Sequence, residues 1–123
     1  MAGRRNDAVG LLSARIRSHA MAKVSAFVKL TAQPGRRHEM LDALRAMLPV
    51  VADEPGTEVY SFHLDQSDEN VVWVFELYRD TDALDAHSSS DGMKALLGAL
   101  AGLLADAPTM VFATPSDAKG LAI

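Results

Sequence analysis

Residues Val71–Tyr78 constrain this chain more than any other segment. Every position of Val-Val-Trp-Val-Phe-Glu-Leu-Tyr is apolar or aromatic except Glu76. A short run of this composition between polar turns reads as a β-strand. Its side chains divide into Trp73, Phe75 and Leu77 on one face and Val72, Val74, Glu76 and Tyr78 on the other. A strand that is apolar on both faces needs cover on both.

The neighbouring segments say what the cover is. Val24–Thr31 alternates, with apolar residues at 24, 26, 28 and 30, as in a half-buried strand. Pro34-Gly35 breaks it, and Arg37 to Val51 reads as a helix with Met40, Leu41, Leu44, Met47 and Leu48 on one stripe. Pro49 is expected to end or bend that helix. Asp53-Glu54-Pro55-Gly56 is a turn, and Glu58–Leu64 is a second strand. In it Val59, Ser61 and His63 share one face and Tyr60, Phe62 and Leu64 the other. After a polar connection at 65–70 and the strand already described, Asp80 or Thr81 can cap a short helix over Ala83–His87. Ser88-Ser89-Ser90-Asp91 interrupts and re-caps it, Met93–Leu104 forms a longer helix, and Thr109–Thr114 is the last strand.

The order β-α-β-β-α-β predicts an α+β, ferredoxin-like fold: one four-stranded antiparallel sheet with helices on one face. The bulkier set Trp73, Phe75 and Leu77 suits the helix-packed side. Val72, Val74, Glu76 and Tyr78, with Tyr60 and Phe62, would then line the uncovered side. An apolar uncovered sheet face is a partner or ligand site, and a homodimer is the economical way to close it.

The folded body is expected over residues 23–115, followed by a tail at 116–123. Residues 1–22 differ in character, with four arginines against one aspartate, whereas the remainder has eight basic and fifteen acidic residues. They read as a weakly ordered basic arm or a short amphipathic helix over 7–17, with Met21 as an alternative start. The apolar stretch at 8–12 is shorter than the roughly 7–15 residues of a secretory signal core. No apolar run approaches the roughly 18–20 residues of a membrane span, so a cytoplasmic protein is expected. The apolar fraction of 49% excludes wholesale disorder. The absence of cysteine excludes disulfides, thiolate metal sites and a Cys nucleophile. A net charge of −4 argues against nucleic acid as partner. Neither a phosphate-binding glycine loop nor a nucleophile-elbow motif is present, and His19, His38, His63 and His87 lack the spacing of a zinc site.

Three groups of residues carry a family resemblance: Glu54-Pro55-Gly56-Thr57 followed by Tyr60; Glu76-x-Tyr78-x-Asp80; and Ala83-Leu84-x-Ala86-His87-x-x-Ser90. Together, over about residues 23–115, they resemble the antibiotic biosynthesis monooxygenase (ABM) domain family. The resemblance implies a dimeric α+β barrel, two sheets face to face, with a pocket in each subunit between sheet and helices. It implies chemistry less sharply. Characterised members include cofactor-independent oxygenases of aromatic polyketides, quinol oxidases, haem-degrading enzymes and a sugar-signal isomerase. Two departures narrow the choice. Gly92 stands where the family often has a second His, and Tyr78 where the family usually has Trp. Val28, His87 and Leu97 occupy the positions at which haem-degrading members carry an Asn, a Trp and a His, so haem is not expected.

Among candidate catalytic residues, His87 is the first choice for acid–base work, because imidazole titrates near working pH. Otherwise it caps the helix break. Tyr78 can stack on a planar substrate or hydrogen-bond to its phenol. Glu76, a carboxylate in an apolar strand, demands a partner: either an Arg or Lys of a second subunit or a catalytic group. His63, grouped by alternation with the helix side, reaches a pocket only through its place at the strand end. Tyr60, Phe62, Val72 and Val74 are the expected substrate-binding residues. Trp73 and the methionines read as packing, and Arg36-Arg37-His38 as a solvated helix start that could also meet a phosphate.

The reading that joins these expectations is a cofactor-independent monooxygenase acting with O2 on a small planar aromatic or quinol-type substrate. The alternatives are a non-catalytic small-molecule binding protein and a proton-transfer isomerase on the same dimeric barrel.

Overall fold

In the computed structural model, which describes residues 22–123, the sheet is built around β1 (Val24–Thr31) and β3 (Val71–Tyr78). β2 (Thr57–Leu64) flanks β3 and β4 (Thr109–Ala113) flanks β1, giving the order β2-β3-β1-β4 with every pairing antiparallel. The expectations for residues 1–21 lie outside the described residues. Among the described residues no helix is long and apolar enough to cross a membrane.

Both helical stretches are broken pairs, the second at the Ser88–Asp91 interruption expected from sequence. The first divides into α1 (Arg37–Arg45) and α2 (Met47–Ala52), with the break at Ala46 rather than at Pro49. Pro49 is the cause nonetheless, because its ring would clash with the carbonyl four residues earlier, at Arg45. As the third residue of α2 it lies in a first turn, where no intrahelical N–H is required. The second pair is α3 (Thr81–Ser88) and α4 (Asp91–Leu100). Asp80 caps α3 through Ala83 N (2.8 Å), and Ser90 caps α4 through Met93 N (3.1 Å). α4 ends earlier than Leu104 because its following backbone is drawn to the end of β1. Gln33 N donates to Leu103 O and Ala105 N to Thr31 O, both at 2.8 Å.

The faces of the sheet are the reverse of the assignment from side-chain bulk. The helix side carries Val72, Val74, Glu76 and Tyr78, and the open side carries Trp73, Phe75 and Leu77. Partners in register share a face. Val28 pairs with Val74 and Leu30 with Val72, so the apolar set of β1 takes that set of β3 with it. Against these short side chains the helices bring Met40, Leu44, Met47, Val51, Leu96 and Leu100, which supply the bulk of the core. Tyr60 and Phe62 are consequently on the helix side, packed against this core. Phe27, Trp73, Phe75 and Val111 form the open face, with Phe27 and Trp73 45% and 40% exposed.

Two further features tie the ends together. Arg37 reaches across from the start of α1: its guanidinium donates to the carbonyls of Asp65, Asp68 and Val71 and staples the β2–β3 connection to α1. Lys23 Nζ donates to Glu58 Oε1 and to Ala122 O, both at 2.6 Å, bringing the tail back to the start of β1.

Candidate functional site

The site lies on the helix side of the sheet, where the turn before β2, the end of β3 and α3 converge. α3 is seated by close contact: a Cβ on Gly56 would lie 2.5 Å from the Ala83 Cβ. Ala83 and His87, one helical turn apart, are both buried in α3 and turn inward together. Gly56 therefore lets the turn approach closely enough for Glu54 to meet His87. The distance from His87 Nδ1 to Glu54 Oε1 is 2.8 Å. Thr57 Oγ1 donates to the same carboxylate at 2.9 Å. Thr57 reaches it because the β2–β3 register shifts between Thr57 and Val59, leaving Glu58 as the extra residue of a bulge. Thr57 thus shares the helix side with its partner Tyr78, while Val59 pairs with Leu77 on the open side.

The other ring nitrogen is in a different situation. His87 is 2% exposed, and its Nε2 has no hydrogen-bond partner among the described residues. Glu76 Oε1 is 3.7 Å away, too far for a hydrogen bond, and accepts instead from the Tyr78 hydroxyl. An ionised carboxylate only accepts, so Glu54 holds the hydrogen on Nδ1 and leaves the Nε2 lone pair free. Tyr60 and Tyr78 flank the imidazole, with ring centroids 5.4 and 5.3 Å away.

On the side of Nε2 and Glu76, His87 lines a cavity of about 250 Å³ between sheet and helices. Tyr60, Glu76 and His87 supply its polar end, and aliphatic residues such as Leu44, Val74, Met93 and Leu96 line the rest. Its outer rim includes Leu97, Met110 and Phe112, which are exposed where α4 leaves β4 uncovered. Burial raises the Glu76 carboxyl above its ordinary value, opposed by the Tyr78 hydrogen bond and the neighbouring His87. Burial likewise raises both phenols, reinforced by the charge of Glu76. Those two phenols are kept in the protonated, hydrogen-donating form.

The residues expected from sequence are thus only partly brought together. His87, Glu76, Tyr60 and Val74 line the cavity, and Tyr78 stands directly behind it. Phe62 packs edge-on to Tyr60 and borders a neighbouring groove with Leu41 and Leu64. Val72 is closed into the core and does not reach the cavity. His63 lies on the open face beside Trp73, its Nε2 2.9 Å from Ser61 Oγ, remote from the cavity side. Its grouping with Val59 and Ser61 holds; the side assigned to that group does not. Within its own chain Glu76 has Tyr78 as a hydrogen-bond donor and His87 beside it. Glu54 is the residue missed. It stands in the Glu-Pro-Gly-Thr run, where a turn explained it sufficiently, although an acidic residue that turn geometry does not require was a usable signal.

Gly92, at the position where a second His was looked for, also has a packing reason. A Cβ there would lie 2.6 Å from Val50 Cγ1, so the start of α4 rests directly on α2.

A family model described as antibiotic biosynthesis monooxygenase matches residues 23–98. Among solved structures, a candidate antibiotic biosynthesis monooxygenase from Caulobacter crescentus CB15 is similar, with 28% identity and a TM-score of 0.75. The match covers 84% of this chain and 98% of that one. NE2512 of Nitrosomonas europaea, a protein of unknown function, is also 28% identical, with a TM-score of 0.71 and the same two coverages. Rv0793 of Mycobacterium tuberculosis, at 24% identity, shares the fold with a TM-score of 0.72 over 79% of this chain and 98% of that one. No curated protein matches the chain.

Proposed function

Because the chain belongs to the antibiotic biosynthesis monooxygenase family, we propose that it is a cofactor-independent monooxygenase, using O2 to oxidise a small planar aromatic or quinol-type substrate. The observation that carries this reading is His87, which lines an apolar cavity and whose buried Nε2 has no hydrogen-bond partner among the described residues. A buried polar atom without a partner is costly, and a ligand that hydrogen-bonds to it removes the cost.

The chemistry asks little of the protein. His87 Nε2 takes a proton from an activated CH2 or phenolic position, leaving an electron-rich anion. That anion passes an electron to O2, and the radical pair closes to a peroxide. The peroxide collapses to a carbonyl as hydroxide departs, and the proton held at His87 Nε2 converts the hydroxide to water. The net change is R–CH2–R′ + O2 → R–CO–R′ + H2O, with no electron left over. In this scheme Tyr60 holds the ring edge, Tyr78 orients Glu76, and Glu76 bounds the polar end of the cavity beside Nε2. Val74 is the wall on which a planar ring rests, and Phe62 backs Tyr60. The same reading makes the protein a homodimer joined through the open sheet face.

The test is oxygen consumption with a panel of anthrones and hydroquinones in the full-length protein. One O2 is consumed per substrate, and His87→Ala lowers the rate by about 100-fold or more. The reading fails if no member of the panel is oxidised, or if His87→Ala turns over as fast as the wild type. Conversion that persists without oxygen moves the assignment to a proton-transfer isomerase, which would use the same His87 geometry.

A further inference from the structure

His87 stands between two spaces of opposite character. On its Nε2 side is the apolar cavity. On its Nδ1 side is a groove lined by Asp53, Glu54, Thr57, Arg79, Asp82 and Ala86, most of them exposed. Among the described residues His87 is the one that lines both. Every group within reach of Nε2 leads inward: Glu76 and Tyr78 are buried, and the Tyr60 ring packs beside the imidazole. From Nδ1 the way leads outward, through Glu54, whose side chain is 20% exposed.

We infer that Glu54 is a positioning residue and the proton outlet of this site: it keeps the hydrogen of His87 on Nδ1, and it passes protons between the ring and the water of the groove while Nε2 works in the apolar cavity. As Nε2 accepts a proton from a ligand, the Nδ1 proton moves to Glu54 Oε1, which releases it to water. The reverse sequence restores the ring, one proton entering for each one leaving. The arrangement separates two needs that conflict in a single pocket. The cavity stays dry, which strengthens interactions with a developing anion, and the base still exchanges with solvent. Thr57 Oγ1 keeps the carboxylate in place at 2.9 Å. The inference rests on His87 being the proton-accepting group of the cavity.

The test needs no substrate, so its failure and the failure of the oxygenase reading are distinguishable. In the full-length protein labelled with [15N]histidine, the His87 resonances are assigned by their loss in His87→Gln. The non-exchanging ring protons then report the tautomer. The wild type shows a protonated Nδ1 and a bare Nε2, and Glu54→Leu moves the ring toward the Nε2–H form that free imidazole side chains favour. Two substitutions at exposed positions close one door each. Ala86→Trp fills the groove and slows exchange of the Nδ1 hydrogen with water by about tenfold or more. A hydrogen too fast to see in the wild type that becomes visible in Ala86→Trp is the same result. Leu97→Trp narrows the cavity mouth and changes that exchange by less than about twofold. An unchanged tautomer in Glu54→Leu, or a Leu97→Trp that slows exchange as much as Ala86→Trp, overturns the inference.

Discussion

At the scale of single residues, the site is a set of polar groups whose costs are met by one another everywhere but at His87 Nε2. Glu76 is a carboxylate in a face otherwise occupied by valines and a tyrosine, and it keeps its place because Tyr78 donates to it and His87 stands beside it. Burial still raises it above 4.5, its ordinary value. A carboxyl raised in the folded state stays protonated there after it has ionised in the unfolded chain. Its contribution to stability is complete below about pH 4.5 and is lost as pH climbs through the folded-state value, at no more than about 1.4 kcal/mol per pH unit. Urea unfolding of the wild type and Glu76→Gln across that range is expected to show a stability difference that moves in favour of Gln as pH rises. A difference independent of pH would mean that Glu76 is ionised in both states. The sequence made Glu76 and His87 legible, since both are out of keeping with their apolar surroundings. It did not reveal Glu54, because its carboxylate acquires meaning only when Gly56 lets α3 come within contact of the turn.

Among the elements, pattern located every strand and every helical stretch, including the break at Ser88–Asp91, and what escaped it was where the first helix breaks and which way a strand faces. The break at Ala46 comes from a proline four residues beyond Arg45, a steric effect at a distance that a stripe of apolar residues does not display. The face of β3 could not be settled from β3 alone, because both of its sides are apolar. β1 decides it: polar Ser25, Lys29 and Thr31 alternate with Ala26, Val28 and Leu30, and register transmits that choice to Val72 and Val74. Bulk was the wrong guide, since the helices bring their own large side chains to the interface. His63 followed the same error to the wrong side. Gly92 is the element-scale position most open to a direct test. In an ordinary helix Gly→Ala stabilises, but here the new methyl meets Val50 at 2.6 Å. Gly92→Ala is expected to destabilise by about 1–3 kcal/mol, as overpacking does. Val50→Ala in the same chain should recover much of that loss in thermal or urea unfolding. A stabilised single variant would show that α4 moves away from α2 without cost.

For the molecule as a whole, the sheet is the dividing plane between two kinds of surface. One side holds the core and the cavity. The other presents Phe27, Trp73, Phe75 and Val111, a continuous apolar surface over β1, β3 and β4. Polar groups on that side gather at Trp73: its Nε1 donates to Asp65 Oδ1 at 2.7 Å, and Lys29 Nζ lies over its ring, 5.8 Å from the centroid. Such a surface left in water is an aggregation liability, whereas a second copy offers the same rings for pairing about a two-fold axis. The ring planes of Phe27 and Phe75, 5.3 Å apart at 45°, already form one half of such an aromatic contact. Light scattering at micromolar concentration is therefore expected to give twice the chain mass. Phe27→Glu, which places a charge at the centre of the face, is expected to give the chain mass and to retain the helix-side core, read as an unchanged far-ultraviolet circular dichroism spectrum. A monomeric wild type would instead leave the open face without cover, and a dimeric Phe27→Glu would place the contact elsewhere on the molecule. The position of the cavity gives the dimer a limited chemical role: none of the residues around His87 Nε2 lies on the open face, so the polar end of the site is complete within one chain. Phe27→Glu is accordingly expected to lower stability and association while leaving the His87 tautomer as it is in the wild type, and a tautomer that changes on dissociation would show that pairing of the sheets shapes the site from behind.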